Sequence, residues 1–292
     1  MLTGLPKLRR AECTFGRQSK LLSALGAVPS SSRLKLTHLT FRQPPKSPQI
    51  ENIVSIVPHV TSATVIYHVF EAGYSKAIDE GLQALQIFKE LKDLRLEIST
   101  INMLYVIQLG PRLEVIRDKV TRVELVEVEF LHPACLDTLS TLPCLTHLTI
   151  SNPSIIGDSM FLELPELPTA TFPSLEQLDY SGPISEQLLT MFTQHSPCLR
   201  SFIVKSEHSV LEPSCLRALS STPRPSLEKL LIEVTVATRG EDWIREMQRV
   251  LNVADNLTCL GNTERWGNVN PGCVQDLKRF VTDKRWALNI LT

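Results

Sequence analysis

One phrase, Leu-x-x-Leu-x-Leu, returns along nearly the whole chain and fixes what it can fold into. The clearest copies are Leu145-Thr-His-Leu148-Thr-Ile150, Leu175-Glu-Gln-Leu178-Asp-Tyr180, Leu199-Arg-Ser-Phe202-Ile-Val204 and Leu227-Glu-Lys-Leu230-Leu-Ile232. Earlier copies open at Leu8, Leu36, Val60, Leu91 and Val120, and a degraded one at Leu257. The spacing averages about 28 residues, within the leucine-rich-repeat period. A unit this short cannot bury its own apolar face, so successive units must stack. Alternation within each phrase marks a strand with its fourth and sixth residues inward, led in by the apolar first residue.

Helical phrases separate the strands: Ser19–Leu25, Gln49–Val57, Ser75–Phe88, Ser185–His195 and Glu241–Leu251. Three helix starts copy one another, at Pro133-Ala-Cys135, Pro213-Ser-Cys215 and Pro271-Gly-Cys273. Proline suits the first helical turn, where an N–H would lack an intrahelical partner. The unit is therefore strand, loop, helix, loop, and right-handed crossovers lay the strands parallel. The expected fold is an α/β leucine-rich-repeat solenoid of about nine or ten irregular repeats. It should be a curved horseshoe with parallel strands on the concave side and helices on the convex side. Residues 1–260 form the solenoid and 261–292 a C-terminal capping segment of the same domain.

The phrase Pro143-Cys-Leu145-Thr-His-Leu148-Thr-Ile150 and its relatives resemble the leucine-rich-repeat region of F-box proteins, especially the irregular repeats of large fungal families. The resemblance covers residues 5–260. It implies a protein-binding solenoid and, in that family, the substrate-recognition part of an SCF-type ubiquitin ligase. Two features depart from the pattern. The ninth positions, among them Gly16, Pro44, His68, Ser99, Pro153 and Glu207, lack the asparagine or cysteine that builds a ladder in such repeats. No F-box precedes the repeats, which begin by Leu8, so recruitment of a ligase adaptor is not carried over.

The charge balance, 30 basic against 31 acidic residues, lacks the basic excess that nucleic acid requires. No run of about 18 apolar residues could cross a bilayer, and the N-terminus does not read as a signal peptide. Seven cysteines without a Cys-x-x-Cys pair read as free thiols and a cytoplasmic or nuclear protein. Phosphate-binding, nucleophile-elbow and zinc-protease motifs are missing, so no enzyme, cofactor or metal is expected. His38 and His147 occupy identical Leu-Thr-His-Leu-Thr phrases and read as a repeated surface residue rather than a site. Cys144 and His147 fall on opposite strand faces, which argues against zinc.

Side chains at the third, fifth and seventh positions should line the concave face. In the central repeats these are Asp93, Arg95, Glu97, Arg122, Glu124, His147, Thr149, Gln177 and Asp179. Mixed charges suit a protein partner of a monomeric scaffold; the rival is a receptor holding a small molecule against the same face. Two further features could touch a partner. The tryptophans Trp243, Trp266 and Trp286 either anchor one or pack a terminal cap. The proline-rich stretch between Ser151 and Ser174 is either a contact loop or a tolerated insertion.

Overall fold

The computed structural model describes residues 9–14, 36–42, 59–69, 85, 88–100, 116–126, 133–151, 171–182, 184, 186–236, 241–261, 271–283 and 289–290. The chain divides into two compact units, Met1–Leu145 and Thr146–Thr292. Both are segments of an α/β leucine-rich-repeat solenoid.

Among the described residues the first unit stacks five parallel strands: β1 (Arg10–Thr14), β2 (His38–Arg42), β3 (Ser62–Val69), β4 (Asp93–Thr100) and β5 (Arg122–Val126). Each strand begins at the third residue of its phrase. Fourth positions stand opposite one another, from Ala11 through Leu39, Ala63 and Leu94 to Val123. Helix α1 (Pro133–Ser140) follows β5 and starts at the expected proline.

The second unit carries six more strands: β6 (His147–Ser151), β7 (Gln177–Ser181), β8 (Ser201–Leu211), β9 (Lys229–Val236), β10 (Cys259–Gly261) and β11 (Asn289–Ile290). Here too the fourth positions align: Leu148, Leu178, Phe202, Leu230 and Leu260. Ile290 on β11 then stands opposite Leu260. This last strand follows no leucine phrase, and the sequence therefore placed only a cap there. Helices α2 (Glu186–Gln194), α3 (Pro213–Ser220), α4 (Glu241–Val253) and α5 (Pro271–Asp283) lie between the strands and pack in sequence order. Prolines open α3 and α5, as the copied phrases require.

Packing follows the phrase. Leu94, Leu96, Val123, Leu125, Leu148, Ile150, Leu178 and Tyr180 are all buried. So are the helix residues that meet these rows, including Leu189, Phe192, Leu216 and Leu219. Phe172, Phe192 and Tyr180 form an aromatic cluster with ring centroids 5.8 and 6.3 Å apart. Trp243 on α4 is 1% exposed, so it belongs to the core and offers no partner anchor. Trp266, Trp286, the stretch 152–170 and the helical phrases before Leu85 lie outside the described residues.

A backbone ladder enters each strand. The carbonyl at the second position of one phrase accepts two N–H groups from the next phrase. Thr61 accepts from Lys92 and Asp93, and Lys92 accepts from Thr121 and Arg122. In the second unit Glu176 accepts from Arg200 and Ser201, and Arg200 accepts from Glu228 and Lys229. This ladder needs no side chain at the ninth position. It satisfies the backbone groups at the entrance to each strand.

The cysteine in the copied helix starts is a packing residue in α3. Cys215 is 3% exposed, and burial pushes its thiol up from the usual range. Cys144, Cys198 and Cys259 are also free thiols. No described helix is long and apolar enough to cross a membrane.

Candidate functional site

Alternation leaves one face of every strand uncovered by the apolar rows, and this open face carries the charged side chains. In the first unit Asp93 stands opposite Arg122, Arg95 opposite Glu124, and Glu97 opposite Val126. Arg95 reaches two carboxylates, Glu124 at 3.2 Å and Glu97 at 3.5 Å. Arg122 is exposed and makes no ion pair among the described residues. The register thus places Asp93, Arg95, Glu97, Arg122 and Glu124 on two adjacent strands. Geometry then splits the two arginines into one that is neutralised locally and one available to a partner. Toward β1, Arg42 pairs with Glu12, a contact of two half-exposed side chains.

In the second unit His147 stands opposite Gln177, and Thr149 opposite Asp179. His147 Nδ1 lies 2.8 Å from Thr146 Oγ1, and His38 Nδ1 lies 2.8 Å from Thr37 Oγ1. The same phrase gives the same local bond in both units, which is how a repeated surface residue behaves. Cys144 donates its thiol proton to the Asp118 carbonyl at 3.3 Å. No group of three histidine, cysteine or acidic side chains suited to a metal occurs among the described residues.

Beyond Asp179 the open face changes character. The fifth positions of β8 and β9 are Ile203 and Leu231, opposite one another and only half-buried. Asp179 flanks Ile203 on β7, and Lys205 and Glu233 form the next pair along the strands. Lys229 opens β9, at the third position of its phrase. Two adjacent branched apolar side chains ringed by Asp179, Lys205, Lys229 and Glu233 have the anatomy of an interface centre with a charged rim. The sequence reading missed this patch, though a signal existed. Phe202-Ile-Val204 and Leu230-Leu-Ile232 each put an apolar residue where the alternation asks for a polar one.

The Asp179 carboxyl is held above its usual range, first by burial and then by Glu233; Lys205 and Lys229 pull the other way. Raised in the folded state, this group favours folding when protonated. That contribution is complete below the ordinary aspartate value of 3.8 and fades as pH rises through the folded-state value. Asp179→Asn should therefore raise the melting temperature at pH 7 and leave it unchanged near pH 3. Thermal melts across that range check the sign; a lower melting temperature at pH 7 would show that the two lysines outweigh burial.

The chain matches no protein-family model and no curated protein. Among solved structures it resembles a chain of the TLR13–ssRNA13 complex, with TM-score 0.49 and 15% identity over 88% of this chain and 36% of that one. It also resembles a protein from Bacteroides fragilis, with TM-score 0.41 and 14% identity over 88% of this chain and 65% of that one. The chain spans less than two thirds of the length of either. The fold assignment rests on strand register and burial within this chain.

Proposed function

We propose that this chain is a protein-binding scaffold that presents the open faces of its strands to a partner. The observation that carries the reading is the Ile203–Leu231 pair. Branched apolar side chains on a strand face that is otherwise polar are costly to leave in water. They contribute to affinity only when a partner covers them. The charged rim gives such a partner its register and speeds encounter. In the first unit Arg122 adds an accessible cation beside carboxylates that Arg95 already balances.

The partner is a folded or extended protein segment with apolar residues at its centre and charges of both signs at its edge. Resemblance of the repeat phrase to F-box/leucine-rich-repeat proteins makes substrate recognition within an SCF-type ubiquitin ligase the first assignment to test. Affinity capture of the full chain, read by mass spectrometry, is the experiment, run beside a variant with Ile203→Thr and Leu231→Thr, which removes the apolar patch without adding charge to the paired strands. We expect a partner set that the variant loses at unchanged melting temperature. Presence of a ligase adaptor in that set supports the ligase assignment, and its absence removes it while leaving the scaffold. Identical capture by both proteins would rule out the Ile203–Leu231 patch.

A further inference from the structure

In six repeats the residue three places before the first leucine closes a tight turn, whereas Val120 closes its turn on Ile116, four places before. In those six its carbonyl accepts the leucine N–H: Phe88 from Leu91, Leu142 from Leu145, Phe172 from Leu175, Ser196 from Leu199, Arg224 from Leu227 and Ala254 from Leu257. The side chain at this place points into the core. Phe88, Leu142, Phe172 and Ala254 are each no more than 2% exposed. Two successive repeats break the apolar rule with Ser196, 2% exposed, and Arg224, 8% exposed. Where they break it, the second unit holds a cavity of about 270 Å³. That is room for about nine waters at ~30 Å³ each, close to the lower size of small-ligand pockets at ~300 Å³.

The chemistry of the cavity is one-sided. Ser196 and Arg224 line it together with Leu199, Phe202, Leu230 and Val250, and no acidic side chain lines it. Arg224 is held by the last turns of two helices: Nε donates to the Leu219 carbonyl at 3.0 Å on α3, and one terminal nitrogen to the Thr193 carbonyl on α2. The other terminal nitrogen donates to Thr222 Oγ1 at 2.9 Å. Those contacts use three of the five guanidinium N–H groups, and no carboxylate pairs with it among the described residues. Burial lowers its pKa to about 10, so it stays charged at neutral pH. Ser196 Oγ is fully buried and has no hydrogen-bond partner among the described residues. A fixed buried cation, an unpartnered hydroxyl and an apolar wall share one opening.

We propose that this cavity binds a small organic monocarboxylate, with Arg224 and Ser196 taking the carboxylate and Leu199, Phe202 and Leu230 covering the apolar body. The carboxylate would occupy the spare guanidinium donors and the idle hydroxyl, both charge-assisted bonds. The site is separate from the open strand face, since Phe202 and Leu230 point into the core, so it stands or falls independently of partner binding.

Benzoate and its uncharged isostere benzamide are the probes, titrated into the isotope-labelled full chain and followed by amide NMR shifts. Benzoate should shift Ser196, Arg224 and Leu230 and bind at least about tenfold more tightly than benzamide. Arg224 closes two helix ends, so its removal risks the fold, and Ser196→Ala carries the test. That variant should keep or raise the melting temperature, because the hydroxyl has no partner in the free protein. It should weaken benzoate by about tenfold, the loss of one hydrogen bond to a charged group. The proposal is overturned if benzoate up to about 10 mM, the range of weak millimolar binding, leaves these amides unmoved. Equal affinity for benzamide, or unchanged benzoate affinity in Ser196→Ala, overturns it as well.

Discussion

Replacing Leu178 with alanine should destabilise the protein by about 2–5 kcal/mol, the range for cavities left by a buried leucine. Leu178 is 1% exposed and stands between Leu148 and Phe202 in the fourth-position row. Its neighbours are held in register by parallel pairing on both sides, so the backbone cannot collapse into the void. The effect should sit at the upper end of the range for that reason. Leu148→Ala belongs to the same row, but only β7 is a neighbour within its unit, and its loss should be no greater. Denaturant melts of the two variants read the difference. A loss below about 1 kcal/mol for Leu178→Ala would mean that the row does not form the core.

The second large effect is on binding, and it separates the two arginines of the first unit. Arg122→Glu should abolish capture of a partner that docks on β4 and β5, with a stability loss limited to repulsion by Asp93 on the opposite strand, about 0–1 kcal/mol. Its guanidinium is exposed and pairs with nothing among the described residues, so its reversal removes little from the fold. Arg95→Glu should instead cost both binding and stability. It would face Glu97 and Glu124, the carboxylates that Arg95 now reaches at 3.5 and 3.2 Å, and like charges on opposed strands repel. Exposed pairs of this kind contribute only about 0–1 kcal/mol, so the stability loss should remain modest. Pull-down and melting temperature measured on the same two variants check both halves. If Arg122→Glu captures the wild-type partner set undiminished, this face of the first unit is not the docking surface.

Much of the scaffold was legible because a repeat is a local rule applied many times. Apolar residues at the fourth and sixth positions dictate which way each strand side chain points, and stacking similar units forces fourth positions to align. Leu94 opposite Val123, and Leu178 opposite Phe202, follow from that rule alone. Prolines at Pro133, Pro213 and Pro271 marked helix starts because a missing N–H is harmless only there. The residues of the open face were legible for the same reason, down to the placement of Arg95 beside Glu124.

What escaped the sequence lies where the rule is broken or where contact depends on distance. Strand β11 has no leucine phrase; it forms because the edge of β10 offers unpaired backbone groups to any chain that reaches it. The choice between Arg95 and Arg122 as the accessible cation depends on which carboxylates lie within ion-pair reach, and spacing along the chain does not give that. Arg224 reads in the sequence as a charge in a proline-flanked turn, which suggests the surface. Its burial is decided by two helix ends that converge on it, through Thr193, 31 residues away in the chain, and Leu219, five residues away. The sequence alone determined the repeat, the register and the open face, because each depends on side-chain alternation over a few residues. Tertiary structure decided the partners of the charged groups and the cavity beside Ser196 and Arg224, because those depend on how neighbouring repeats close against one another.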